Sequence, residues 1–134
     1  MATVLIIDDE PGMRAIMRRA LEHAGHAVVA ASNGAEGLKR ISEAPIDIVV
    51  TDLLMPELDG IELIFNLRKT RPNLRVIAIS GGGQLPPDGY LKIAQRGGAR
   101  RILIKPFELR ELLIAIEEEL KPDPNPANHP SHAS

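Results

Sequence analysis

Five short, mainly apolar runs, of which Ile48–Val50 has no room for a polar face, alternate along the chain with stretches whose apolar residues recur every three or four positions. The runs are Thr3–Ile7, Ala27–Ala31, Ile48–Val50, Leu74–Ile79 and Arg100–Ile104. A short β-branched run without alternation is how a strand buried on both faces of a parallel sheet reads. Between them, Met13, Ile16, Met17, Ala20, Leu21 and Ala24 share one helical face, opened by Pro11 and ended by Gly25. Ala35, Leu38 and Ile41 mark a second helix, preceded by the turn Ser32-Asn33-Gly34 and stopped by Pro45. A third opens at Asp59-Gly60 with Ile61, Ile64, Phe65 and Arg68 in one row, widened by Leu63 and Leu67, and ends at Arg71-Pro72-Asn73. A short fourth helix is expected at about Tyr90 to Arg96. A last one runs from Glu108 to Leu120 with Leu109, Leu112, Leu113, Ile116 and Leu120 as its buried face. Strands alternating with helices predict an α/β fold, a parallel sheet covered on both sides.

Composition narrows this picture. The 134 residues suit one domain, expected over residues 1–120, followed by a disordered Pro-rich tail over 121–134. Aromatic residues make up only 2% of the chain, so the core is aliphatic and base stacking on nucleic acid is not expected. The net charge of −2, without a basic stripe, points the same way. There is no cysteine, which excludes disulfides and thiolate metal sites. No apolar run approaches the ~18 residues of a membrane span and the N-terminus lacks a signal-peptide pattern, so a cytoplasmic location without membrane attachment is expected.

The chemistry gathers at the strand ends. The first strand runs into Asp8-Asp9, the third into Asp52, the fourth into Ser80 and the fifth into Lys105. Singly each has a bland reading: an acid caps a helix, a serine makes a turn, a lysine before proline is solvated. Together they fall on one edge of a parallel sheet, where ligands bind in open α/β folds. Carboxylates brought this close repel by roughly 4 kcal/mol per pair at an effective dielectric of ~20. A hard divalent cation such as Mg²⁺ relieves that repulsion. An Asp beside it can attack phosphorus and form an aspartyl phosphate, with Lys105 and Ser80 holding the phosphoryl oxygens. This is a phosphoryl-acceptor pattern. Clustered acids also predict a strained metal-free fold, with Asp52→Asn expected to relieve it. His23 and His26, by contrast, read as helix-end residues, and Ser32 as a turn or cap.

Asp8-Asp9, Asp52 with Met55-Pro56 and Asp59-Gly60, Ser80-Gly81 and Lys105-Pro106-Phe107 resemble the receiver domain of two-component response regulators over about residues 2 to 120. The resemblance implies a flavodoxin-like, doubly wound sheet of order 2-1-3-4-5 and a cis Lys105–Pro106 bond. It implies Asp52 as phosphoacceptor, taking its group from a sensor histidine kinase or a His-phosphotransfer protein. Mg²⁺ would be held by Asp9, Asp52 and the Leu54 backbone carbonyl, with Asp8 acting through water. The product would be a signalling switch and not an enzyme, catalysing at most its own phosphorylation and dephosphorylation. With no output segment in view, a stand-alone regulator is expected, engaging a protein target through the fourth helix, fifth strand and last helix.

Three positions depart from the family pattern. Ile102 stands where an aromatic usually follows the motion of the hydroxyl. The Gly81–Gly89 stretch is long and rich in Gly and Pro, either an ordering switch or a tolerated insertion. Leu54 and Gly82 lack side chains that could orient an attacking water, which implies slow loss of the phosphoryl group. Two other readings stand beside the switch: a phosphorylation-independent pseudo-receiver adaptor, and a small Mg²⁺-dependent phosphohydrolase working through an aspartyl phosphate.

Overall fold

The computed structural model of the chain describes residues 2–53, 60–81 and 98–121. Five strands are present: β1 (Thr3–Ile7), β2 (Ala27–Ala31), β3 (Ile48–Asp52), β4 (Arg75–Gly81) and β5 (Arg101–Lys105). Four helices are described and numbered here in chain order: α1 (Pro11–His23), α2 (Gly34–Glu43), α3 (Gly60–Thr70) and α4 (Leu109–Leu120). The expected helix at 90–96, the loop residues 82–89 and the tail from 122 lie outside the described residues. The strands form one parallel sheet of order β2-β1-β3-β4-β5, as the resemblance implied.

The pleat divides the core into two layers, because successive side chains of a strand point to opposite faces. Leu5, Ile7, Val49, Val76 and Ala78 pack with Ile41 of α2 and with Leu63, Ile64 and Leu67 of α3. Val4, Ile6, Ile48, Val50, Ile77 and Ile79 pack with Met17 and Leu21 of α1 and with Leu112, Ala115 and Ile116 of α4. The central strands are therefore buried on both faces, which is why their sequence shows no alternation. Among the described residues no helix is long and apolar enough to cross a membrane.

Helix faces differ in detail from the expected rows. On α1 the buried stripe is centred on Met17 and Leu21, four apart, and Ile16 is turned out to solvent. On α3 the stripe is Leu63, Ile64 and Leu67, with Phe65 and Arg68 outside it. On α4 the small residue Ala115 enters the core, while Leu109, Leu113 and Leu120 are only partly covered. In each case the contact stripe is narrower than the apolar row, because one helix meets the sheet along a single line. Gly25 ends α1 with a φ of 97°, a left-handed conformation that glycine adopts without steric cost. His26 is buried at the start of β2, where its Nδ1 accepts from the Ala2 amide at 3.2 Å; it braces the first two strands.

The entry to α2 is a reciprocal cap. Asn33 Oδ1 accepts from the Glu36 amide at 2.8 Å, and the Glu36 carboxylate accepts from the Ser32 amide at 2.6 Å and its hydroxyl at 3.0 Å. Those bonds from Ser32 hold the Glu36 carboxyl below its ordinary range. The cap belongs to Asn33, and Ser32 serves the turn through Glu36. Asn33→Ala is expected to cost about 1 kcal/mol of stability in urea unfolding. An unchanged midpoint would show the cap to be idle.

Candidate functional site

The site stands on the carboxyl edge of the sheet, and register assembles it. Ile7 pairs with Thr51, Asp52 with Ile79, and Gly81 with Lys105, so β1, β3, β4 and β5 end close to level. Both ladder ends run further than the apolar pattern suggests, and Ser80 and Lys105 are themselves strand residues. Pleat parity then sorts the side chains. Asp8 follows Ile6 by two, Asp52 follows Val50 and Lys105 follows Leu103, all on the face of α1 and α4. Ser80 follows Ala78, which pairs with Ile102 on the face of α2 and α3.

The Lys105 ammonium is the hub. Its Nζ donates to Asp52 Oδ2 at 3.2 Å and stands 3.5 Å from Glu10 Oε1 and 3.9 Å from Asp8 Oδ2. Asp52 and Ser80 are buried, and Asp8 is fully so. The Asp8 carboxylate accepts from the Glu10 amide through Oδ1 at 2.8 Å, but its buried Oδ2 has no hydrogen-bond donor among the described residues. Arg14 does not compensate it, since that guanidinium donates at 2.7 Å to the Asp8 backbone carbonyl. Asp9 is exposed, and its carboxylate lies within 4.8 Å of those of Asp8 and Glu10.

Electrostatics follow from this placement. Burial pushes the Asp8 carboxyl above its ordinary range; the Glu10 amide and Lys105 counter that only in part, and the Asp52 charge adds to it. Burial also works against the Lys105 ammonium. There, however, the Asp52 and Asp8 charges, the Asp52 hydrogen bond and Glu10 outweigh it and hold the pKa above the usual lysine value. Three carboxylates, those of Asp8, Glu10 and Asp52, thus stand within 4 Å of one ammonium, with Asp9 beside the first two. A buried oxygen lacking a donor, with two more carboxylates in reach, fits a hard divalent cation bound by oxygen.

Of the residues expected at the site, Lys105 meets both Asp8 and Asp52, Asp9 is beside Asp8 at the surface, and Ser80 is the last residue but one of the intervening strand, on its other face. Leu54 and Gly82 lie outside the described residues. The Lys105–Pro106 bond is cis, as the resemblance implied. Ile102 is partly buried against the α2 and α3 layer. Glu10 is a site residue that the strand-end pattern does not name; its place directly after the Asp8-Asp9 pair was the available signal.

The sequence profile of the response regulator receiver domain matches residues 4–117. The chain is 38% identical over 122 residues to the response regulator receiver protein CpdR of Brucella abortus, covering 90% of this chain and 98% of that protein. It is 35% identical over 132 residues to the DNA-binding transcriptional regulator NtrC of Azospirillum brasilense, covering 98% of this chain but only 27% of that protein. The chain therefore spans about a quarter of that longer relative. Its fold is similar to the crystal structure of a CheY-like response regulator receiver domain protein from Methanospirillum hungatei, with a TM-score of 0.82 at 28% identity, covering 90% of this chain and 94% of the other. The sheet order agrees with the structural likeness. The chain belongs to the response regulator receiver domain family.

Proposed function

We propose that this receiver domain accepts a phosphoryl group on Asp52, from the phosphohistidine of a sensor histidine kinase or a His-phosphotransfer protein, and thereby switches its protein contacts. The observation that carries the reading is the buried Asp52 carboxylate, 3.2 Å from the Lys105 ammonium and flanked by Asp8. In the step proposed, an Asp52 carboxylate oxygen forms a bond to phosphorus as the phosphorus–nitrogen bond of the donor breaks. The electron pair leaves with the imidazole, which takes up a proton. Lys105, already on Asp52 Oδ2, exchanges that oxygen for a phosphoryl oxygen and keeps the added negative charge paired. Ser80, on the intervening strand, offers a hydroxyl to a second phosphoryl oxygen. Mg²⁺ held by Asp8, Asp9 and Asp52, with the Leu54 carbonyl as the family implies, would supply positive charge for the crowded oxygens.

A protein target would read the change on the side of β5 and α4. Switching there would not use a ring at position 102, which is Ile102. The reaction is a single self-modification, and the protein is a switch with no other substrate.

Intact mass after incubation with an acyl phosphate donor tests the assignment. One phosphoryl addition is expected on the wild type with Mg²⁺, and none on Asp52→Asn or when Mg²⁺ is chelated. Absence of any addition to the wild type, with histidine-kinase phosphodonor as well, would overturn it and favour an unphosphorylated adaptor. Multiple-turnover hydrolysis of a generic phosphomonoester would favour a phosphohydrolase instead.

A further inference from the structure

We propose that Glu10 is a positioning residue, the resting counter-ion of Lys105 and its competitor against the phosphoryl group. The inference rests on the phosphoacceptor reading of Asp52. Glu10 is the N-cap residue of α1, yet its side chain makes no capping hydrogen bond. Asp, Asn, Ser and Thr at that position ordinarily turn back on the helix amides, and Glu is not one of these caps. Here the carboxylate is turned across the sheet edge to Lys105 Nζ, 95 residues away in the chain, with Oε1 at 3.5 Å. The backbone fixes this reach: the Glu10 amide donates to Asp8 Oδ1, and its carbonyl accepts from the Arg14 amide at 3.0 Å. Pro11 sets the next turn and begins the helix.

Lys105 is thus shared between two carboxylates of different kind. Asp52 is buried and is the atom that reacts, while the Glu10 side chain is 65% exposed. When the phosphoryl group arrives, the ammonium can move wholly to it only by giving up Glu10 as well as Asp52 Oδ2. Glu10 therefore lowers the hold of Lys105 on the phosphoryl group, and it orients the ammonium at the rim while the site is empty. An exposed ion pair is a weak competitor, which suits a contact that must be released.

The probe is fluoroberyllate, a phosphoryl mimic, titrated by its thermal shift and fluorine NMR signal at saturating Mg²⁺. Glu10→Gln is expected to bind it about three-fold tighter, the scale an exposed pair supports. Glu10→Asp keeps the charge but shortens the reach, and is expected to behave as Glu10→Gln does. A structural role for Glu10 would weaken binding or leave it unmoved, and either result overturns the proposal. So would Glu10→Asp matching the wild type, which would make charge alone, and not the Lys105 contact, the cause. Failure of the wild type to bind the mimic at all would overturn the phosphoacceptor reading itself.

Discussion

Gly60→Ala is expected to cost about 3 kcal/mol or more of stability, the upper range for overpacking a closed site, and to lower phosphoryl acceptance with it. Gly60 is the first residue of α3 and lies buried on the end of β3. A methyl group added there would run into the Asp52 carbonyl oxygen, and would meet Leu53 Cα at 2.6 Å and the Asp52 carbonyl carbon at 2.9 Å. All three are backbone atoms, so no rotamer change relieves the overlap. The Gly60 amide also donates to the Leu53 carbonyl at 3.1 Å, which pins the helix start to the strand end. Relief requires the β3 terminus, and Asp52 with it, to shift relative to α3. Gly12→Ala is the control: nothing lies within 4 Å of an added methyl there, and alanine favours a helix. A lowered urea midpoint for Gly60→Ala beside an unchanged or raised one for Gly12→Ala is the expected pair of results. Equal midpoints would show that β3 yields at no cost.

Asp8→Asn is expected to stabilise the metal-free protein and to abolish most of the stabilisation by Mg²⁺. A buried polar atom left without a hydrogen bond costs on the order of 1–3 kcal/mol, and among the described residues Asp8 Oδ2, with only a long 3.9 Å ion pair to Lys105, is such an atom. For a domain of this size that corresponds to a rise of roughly 3–10 °C in melting temperature. The sign of the pH dependence follows from the raised Asp8 pKa. Between the ordinary carboxyl value and the raised one, the folded state binds more protons than the unfolded state. Stability of the metal-free protein therefore falls as pH rises through that window, and Asp8→Asn flattens the fall. Lys105 works at the other end of the scale. Its raised pKa contributes stability that is complete below the unfolded lysine value and is lost as pH climbs through the folded one. Scanning calorimetry across pH, with and without Mg²⁺, checks both. A melting temperature for Asp8→Asn at or below that of the wild type in chelator would refute the account. The pattern of strand ends alone placed this burden on Asp52. Asp8 shares it and has the longer ion pair, with Lys105 at 3.9 Å against 3.2 Å for Asp52.

The sequence by itself determined the alternation of strands and helices, the double-sided burial of the central strands and the presence of acids, a serine and a lysine at strand ends. These are local properties: a period near two or 3.6, a proline or glycine at a boundary, and a polar residue where an apolar run stops. Only the tertiary structure decided which of these residues meet. Asp8, Asp52 and Lys105 share a sheet face because register levels three strand ends and pleat parity agrees among them. Glu10 joined them by turning away from its own helix, and Gly60 proved to be a packing contact with the strand that carries Asp52. Phe65 and Ile16 lie outside the core although they continue apolar rows, because each helix touches the sheet along one line and the row is wider than the line. A pattern along the chain fixes what each segment is and which way it faces. Distances between groups 50 to 100 residues apart are set by the register of the ladder and the seating of helices on it, and no local period encodes those.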